Sequence, residues 1–148
     1  MAEQLTFSCR CISEGTGQGA ALMSQHSLCF AMCDPTTGTV IEKGHALDCQ
    51  SVAGRVLVMP SGKGSSVVQA DGLYRLIINN VAPAAIVLER PEPVIVSTVI
   101  AMEIPLVDEV DPAFYEAVET GDAVTVDADG GTITVTKAGA GAAAPAGA

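Results

Sequence analysis

Residues 54–66, with the sequence GRVLVMPSGKGSS, place a short apolar run directly before a loop rich in glycine and serine. Arg55–Met59 contains two valines and is bounded by Gly54 and Pro60, which predicts a buried strand. Val67–Asn80 follows the loop and carries leucine and isoleucine at helical spacing. The stretch therefore predicts a strand, a tight loop and a helix in succession.

The same order of elements is repeated immediately afterwards. Ala84–Leu88 is apolar throughout, as strands covered on both faces are. Pro91 and Pro93 begin a second helix over Val94–Met102, and Ile104–Val107 follows as a third strand. Because strands that alternate with helices in this way are joined by crossovers, the middle of the chain predicts an α/β fold with a parallel sheet at its core.

Turns and short strands flank this core on both sides. Gly15–Met23 contains a GxGxG run but lacks the following helix that a dinucleotide loop requires, so we expect a plain glycine-rich turn. The other predicted elements are strands over Leu5–Ile12 and Thr39–Ile41, a turn over Asp34–Gly38, a short helix after Asp111–Pro112, and a hairpin of Ala123–Asp127 with Thr132–Thr136. We expect one domain over residues 1–136 and a disordered Ala/Gly-rich tail over residues 137–148.

The composition excludes several classes of protein. The 148 residues carry a formal net charge of -10, and a surface this acidic disfavours binding to nucleic acid. The longest apolar stretch, Val94–Met102, is far shorter than the ~20 residues of a membrane span, so we expect no membrane partner. The first residues form no apolar secretory signal, and we therefore expect a cytoplasmic protein.

Five cysteines fit a reducing compartment. Their odd number prevents complete disulfide pairing within one chain, and their spacing contains no CxxC pair. His26 and His45 are too far apart in sequence to indicate a metal site, and we expect no metal ligands in this chain. Most of the thiols are expected to be reduced and structural. The alternative is a thiol- or metal-handling protein that uses Cys9, Cys11, Cys29 and Cys33.

The loop before the first helix is the segment best suited to bind a ligand. Gly62 and Gly64 allow the backbone to approach a ligand closely, and Lys63 adds a positive charge to an otherwise acidic chain. Ser65 and Ser66 stand at the start of the helix, where unpaired N–H groups attract anions. These features predict a site for a small anion such as a carboxylate.

The sequence of this loop allows two other interpretations. A nucleotide-binding P-loop needs glycine at position 57 and serine or threonine at position 64, where the sequence has Leu57 and Gly64. The serines could instead only cap the helix. A serine acts as a base only where donors and cations stabilise its oxyanion. This loop supplies one lysine and a helix start, so any further groups would come from another chain.

Two blocks of sequence resemble a known family. Residues 34–66, DPTTGTVIEKGHALDCQSVAGRVLVMPSGKGSS, and residues 82–108, APAAIVLERPEPVIVSTVIAMEIPLVD, are similar to the small subunit of aconitase X. The resemblance implies an aconitase-type swivelling β/β/α domain and a hydro-lyase that is active only with a large subunit. It also implies that an iron–sulfur cluster or iron is held by the large subunit and not by this chain.

The resemblance assigns roles within the loop. Ser65 matches the serine of the family's G-[RK]-G-S pattern, which implies that it is the proton acceptor of a β-elimination. Gly62, Lys63, Gly64 and Ser66 are implied to bind the substrate, with Lys63 in place of the more usual arginine and Ser66 in place of cysteine.

The substrate implied is a small hydroxy-carboxylic acid. We favour cis-3-hydroxy-L-proline, converted to 1-pyrroline-2-carboxylate, because a phosphorylated substrate would need more cations than one lysine. Phosphomevalonate is the alternative. A non-catalytic swivel-fold binding module, in which Ser65 is only a cap, is the third possibility.

Overall fold

Eight β-strands form one sheet in the computed structural model, which describes residues 4–63 and 65–137. The strands are β1 Gln4–Ser8, β2 Arg10–Ser13, β3 Thr16–Met23, β4 Val56–Met59, β5 Ala85–Leu88, β6 Leu106–Asp108, β7 Ala123–Asp127 and β8 Thr132–Thr136. Their order across the sheet is β1-β8-β7-β3-β4-β5-β6-β2. The two edge strands, β1 and β2, are separated in sequence by Cys9 alone. Because one residue spans less than ~4 Å, the sheet must curl until its edges approach each other.

The parallel half of the sheet confirms the α/β prediction. Strands β3, β4, β5 and β6 run parallel to one another. Helix α1, Ser66–Ile78, connects β4 to β5, and α2, Pro93–Met102, connects β5 to β6. All four residues of β4 are buried. Leu57 and Met59 pack in the same cluster as the helices, whereas Val56 and Val58 pack in a second cluster with β7 and β8. The strand is therefore apolar throughout because both of its faces are covered.

Capping interactions fix where the helices begin. The Glu92 carboxylate accepts hydrogen bonds from the N–H groups of Val94 (2.8 Å) and Ile95 (3.1 Å), at the start of α2. Before the short helix α3, Ala113–Ala117, Asp111 accepts a hydrogen bond from the first helical N–H at 3.0 Å. Within residues 4–63 and 65–137, no helix is both long enough and apolar enough to cross a membrane.

The prediction of a turn over Gly15–Met23 was wrong, because most of this stretch is the eight-residue strand β3. A Cβ atom at Gly17 would lie 2.2 Å from the Ala84 carbonyl oxygen, and one at Gly19 would lie 2.1 Å from the Gly54 carbonyl oxygen. The glycines are therefore needed where two other backbone segments cross the strand closely. Strand β3 joins the antiparallel half of the sheet to the parallel half.

Two other predicted strands also differ from the structure. Leu5–Ile12 is divided at Cys9, because β1 pairs with β8 whereas β2 pairs with β6. Thr39–Ile41 forms only isolated bridges. Of the predicted tail, Lys137 contacts the fold, since its ammonium lies 2.6 Å from a carboxylate oxygen of Asp122. Residues 138–148 lie outside the described residues.

Candidate active site

The predicted loop lies at the carboxyl end of β4. The Arg90 N–H donates to the Pro60 carbonyl oxygen (2.9 Å), and the Ser61 hydroxyl donates to the Arg90 carbonyl oxygen (2.9 Å). These bonds join the segment after β4 to the segment after β5. The loop is therefore held at the edge where the carboxyl ends of parallel strands meet, which is where open α/β sheets bind ligands.

Ser65 occupies the N-cap position of α1 without using its hydroxyl as a cap. Its backbone is extended (φ -81°, ψ 163°), and its carbonyl oxygen accepts the Gln69 N–H at 2.9 Å. The side chain makes no capping hydrogen bond, and Ser65 and Ser66 are both exposed. The interpretation of Ser65 as a simple cap therefore lacks the hydrogen bond that would define it. Its hydroxyl lies at the surface, next to the N–H groups of the first helical turn.

Lys63 is paired with a residue that the sequence does not single out. Its ammonium lies 2.9 Å from Glu42 Oε2, and this hydrogen bond is the main reason that the pKa of Glu42 is lowered. The other oxygen, Glu42 Oε1, is buried and accepts no hydrogen bond within the described structure. Lys63 therefore holds the loop against residues 42–45 and brings an already compensated charge to the site.

The buried side chain of Gln69 is hydrogen-bonded to the loop. Gln69 is fully buried, and its amide donates to the Lys63 carbonyl oxygen (3.1 Å) and more weakly to the Leu28 carbonyl oxygen (3.4 Å). Its Oε1 accepts the Phe30 N–H at 2.7 Å. The sequence contains a signal for this role, because Gln69 shares the apolar face of α1 with Leu73. A polar side chain at a core position needs internal hydrogen bonds.

Gly62 packs closely against the start of α2. It is not among the glycines with positive φ. A Cβ atom there would lie 2.8 Å from Ile95 Cβ and 2.8 Å from Glu92 Oε1, at the start of α2. Gly62 also forms a parallel bridge with Leu28. Close packing therefore requires a glycine at position 62, while Gly64 lies outside the described residues.

The structure brings together the two histidines that are distant in sequence. The rings of His26 and His45 are 5.3 Å apart and perpendicular. Each Nδ1 accepts a backbone N–H at 3.0 Å, from Ala46 and Leu47 respectively. Nε2 of His45 then carries the proton and donates to the Ser27 carbonyl oxygen at 2.9 Å. Three of the four ring nitrogens are therefore used to hold the backbone around residue 45.

The cysteines offer little support for the thiol- or metal-handling alternative. All five are free; Cys29 and Cys33 are buried at the two ends of a 3-10 turn, Phe30–Met32. Burial raises the pKa of Cys33 to about 12, and burial together with nearby Cys11 raises the pKa of Cys9 to about 11. At Cys9 and Cys33 the thiolate, which is the reactive and metal-binding form, is therefore scarce at neutral pH. Residues 4–63 and 65–137 contain no group of three or more potential ligands placed to hold a metal ion.

Comparison with known proteins identifies the family. The family model described as "Aconitase X swivel domain" matches residues 6–135. The phosphomevalonate dehydratase small subunit of Methanocella arvoryzae is 44% identical over 82% of this chain and 92% of its own length. That of Methanosarcina mazei is 41% identical over 93% of this chain and 95% of its own length.

Solved structures agree with this match. The crystal structure of aconitase X from Thermococcus kodakaraensis in its holo-form has a TM-score of 0.79 and 36% identity, and the match covers 88% of this chain and 98% of that chain. The chain therefore belongs to the aconitase X swivel-domain family and is the small subunit of a dehydratase of that type.

Proposed function

We propose that this chain, together with a large subunit, catalyses the dehydration of phosphomevalonate. The curated relatives quoted above carry that activity in their names and match this chain over most of their length. The preference for cis-3-hydroxy-L-proline came from counting cations in this chain alone. That count does not discriminate between the substrates, because Lys63 is already paired with Glu42. The cations that bind a phosphate group would then belong to the large subunit.

The exposed hydroxyl of Ser65, which caps no helical N–H, is the observation that carries the catalytic role proposed for this chain. A residue placed at an N-cap ordinarily uses its side chain to accept a helical N–H, and Ser65 does not. Its oxygen is instead available to a substrate at the surface. The first N–H groups of α1, Ser66–Ile78, lack intrahelical partners and stabilise negative charge near them. This environment favours the ionised form that a serine base requires.

In the proposed reaction, Ser65 accepts the proton from the carbon next to the substrate carboxylate. The electrons of the broken C–H bond form the carbon–carbon double bond, and the neighbouring C–O bond breaks to release the hydroxyl. Ser65 then returns its proton to the released hydroxide, so that water and the unsaturated acid are the products and the serine base is restored. Lewis-acid assistance to the departing hydroxyl is expected from the iron–sulfur or iron centre of the large subunit. This chain contributes the base, the loop that positions it and the helix start that stabilises its charge.

Reconstitution with the large subunit tests the proposal. The purified chain and its large subunit are mixed, and dehydration of phosphomevalonate and of cis-3-hydroxy-L-proline is measured separately, with each subunit alone as a control. We expect turnover of phosphomevalonate only when both subunits are present. Turnover of cis-3-hydroxy-L-proline alone would assign the other substrate. Binding of the large subunit without turnover of either compound would indicate a non-catalytic module.

A further inference from the structure

Helix α1, Ser66–Ile78, has an apolar stripe on its solvent face as well as on its core face. The core face consists of Gln69, Gly72, Leu73 and Leu76. On the opposite side, Val67, Tyr74 and Ile78 are 75%, 52% and 57% exposed. At about 100° per residue these three side chains fall on one line along the helix. We call this line the outer stripe.

The outer stripe is nearly free of net charge. Asp71, which lies between Val67 and Tyr74 on this side of the helix, is paired with Arg75 one turn later at 2.9 Å. The sequence as a whole has a net charge of -10, so an uncharged line of apolar side chains is unusual on this surface. Exposed apolar side chains grouped on one face of a helix are typical of surfaces that bind another protein.

The position of the outer stripe indicates which protein covers it. The stripe begins at Val67, two residues after Ser65, and continues for ~17 Å along the helix to Ile78. If Ser65 acts on a substrate held by the large subunit, that subunit must contact the N-terminal end of α1. We infer that the large subunit lies along α1 and covers the outer stripe, so that the same helix docks the chain and presents Ser65. This inference rests on the proposed function.

The size of the outer stripe argues against a second copy of this chain as its occupant. A stable interface buries about 800 Å² on each partner, which is more than one row of three side chains provides. The stripe therefore needs to be part of a larger contact. The proposed function places residues 61–63 against the large subunit as well, which enlarges the contact with that subunit. We expect an apolar surface on the large subunit opposite Tyr74 and Ile78.

The experiment compares assembly with the large subunit for two surface variants. The double variant Tyr74→Glu/Ile78→Glu places charge in the outer stripe, and Ile100→Glu changes a side chain of α2 that is 51% exposed and lies outside the stripe. Circular dichroism checks folding. We expect the dissociation constant of the double variant to rise at least tenfold and that of Ile100→Glu to change less than twofold. If both variants bind the large subunit as tightly as the parent chain does, the inference is overturned.

Two further measurements keep the outcomes distinct. Loss of self-association in the double variant, with unchanged binding to the large subunit, would assign the stripe to a second copy and also overturn the inference. If the double variant does not fold, Val67→Gln is measured instead, and at least threefold weaker binding is expected. Ser65→Ala should bind the large subunit normally. If that variant also keeps its turnover, the proposed function fails while the affinity measurements still decide the docking surface.

Discussion

Replacing Gln69 by methionine should loosen the loop that carries Ser65 and lower the stability of the whole chain. Methionine keeps the length of the side chain but removes its hydrogen bonds to Phe30 N–H and to the Lys63 carbonyl oxygen. An unpaired buried N–H costs about 1–3 kcal/mol, and the carbonyl groups add to this, so we expect a loss of about 2–4 kcal/mol. For a domain of this size, that corresponds to a melting temperature lower by roughly 5–15 °C.

Thermal unfolding followed by circular dichroism measures this effect. Gln50→Met is the matched control, because Gln50 is exposed and its replacement should change stability by less than about 0.5 kcal/mol. Gln69→Glu should be at least as unstable as Gln69→Met, since a carboxylate cannot donate to the Lys63 carbonyl oxygen. If Gln69→Met melts within 1–2 °C of the Gln50 variant, the hydrogen bonds of Gln69 do not hold the loop and the reasoning is wrong.

Three other predictions follow from the same structure. Gly72→Ala should lower the free energy of unfolding, measured in urea, by about 1–2 kcal/mol. The new Cβ atom would lie 2.3 Å from the backbone of the 3-10 turn, and this clash outweighs the gain of about 1 kcal/mol in helix propensity. An increase in stability would contradict this prediction. Lys63 lowers the pKa of Glu42 in the folded protein below its ordinary value of 4.5, so the pair contributes its full stability above pH 4.5. That contribution is lost as the pH falls through the lower pKa of the folded state. Glu42→Gln should therefore be less stable than the parent at pH 7 and equally stable in acid, whereas a difference that persists in acid would refute the pairing. An alkylating reagent should modify exposed Cys49 in the native protein and buried Cys33, with a pKa of about 12, only after unfolding, as checked by peptide mapping.

The central strands and helices could be predicted because their signals are local. Four consecutive buried residues in β4, Val56–Met59, and the helical spacing on α1 are both visible within a few residues of sequence. Strand β3 was mispredicted because the reason for its glycines lies elsewhere in the chain. Gly17 and Gly19 leave room for carbonyl groups that are at least 35 positions away in sequence, and no local pattern shows those groups.

The candidate site was predictable to a similar extent. Ser65 and Lys63 could be found because glycines and a helix start surround them. The partner of Lys63, Glu42, lies in an irregular segment 21 positions earlier, where spacing carries no information. Gln69 could have been found, since helical spacing places it on the same face as Leu73.

Turnover of the reconstituted enzyme with Ser65→Ala tests the central claim most directly. Ser97→Ala is the matched control, because Ser97 is an exposed serine on α2 whose hydroxyl donates only to carbonyl oxygens of its own helix. We predict that Ser65→Ala assembles normally and loses turnover by about 10²–10⁴-fold, as expected when a catalytic base is removed, while Ser97→Ala keeps most of its activity. Turnover by Ser65→Ala within a few fold of the parent enzyme would contradict the account.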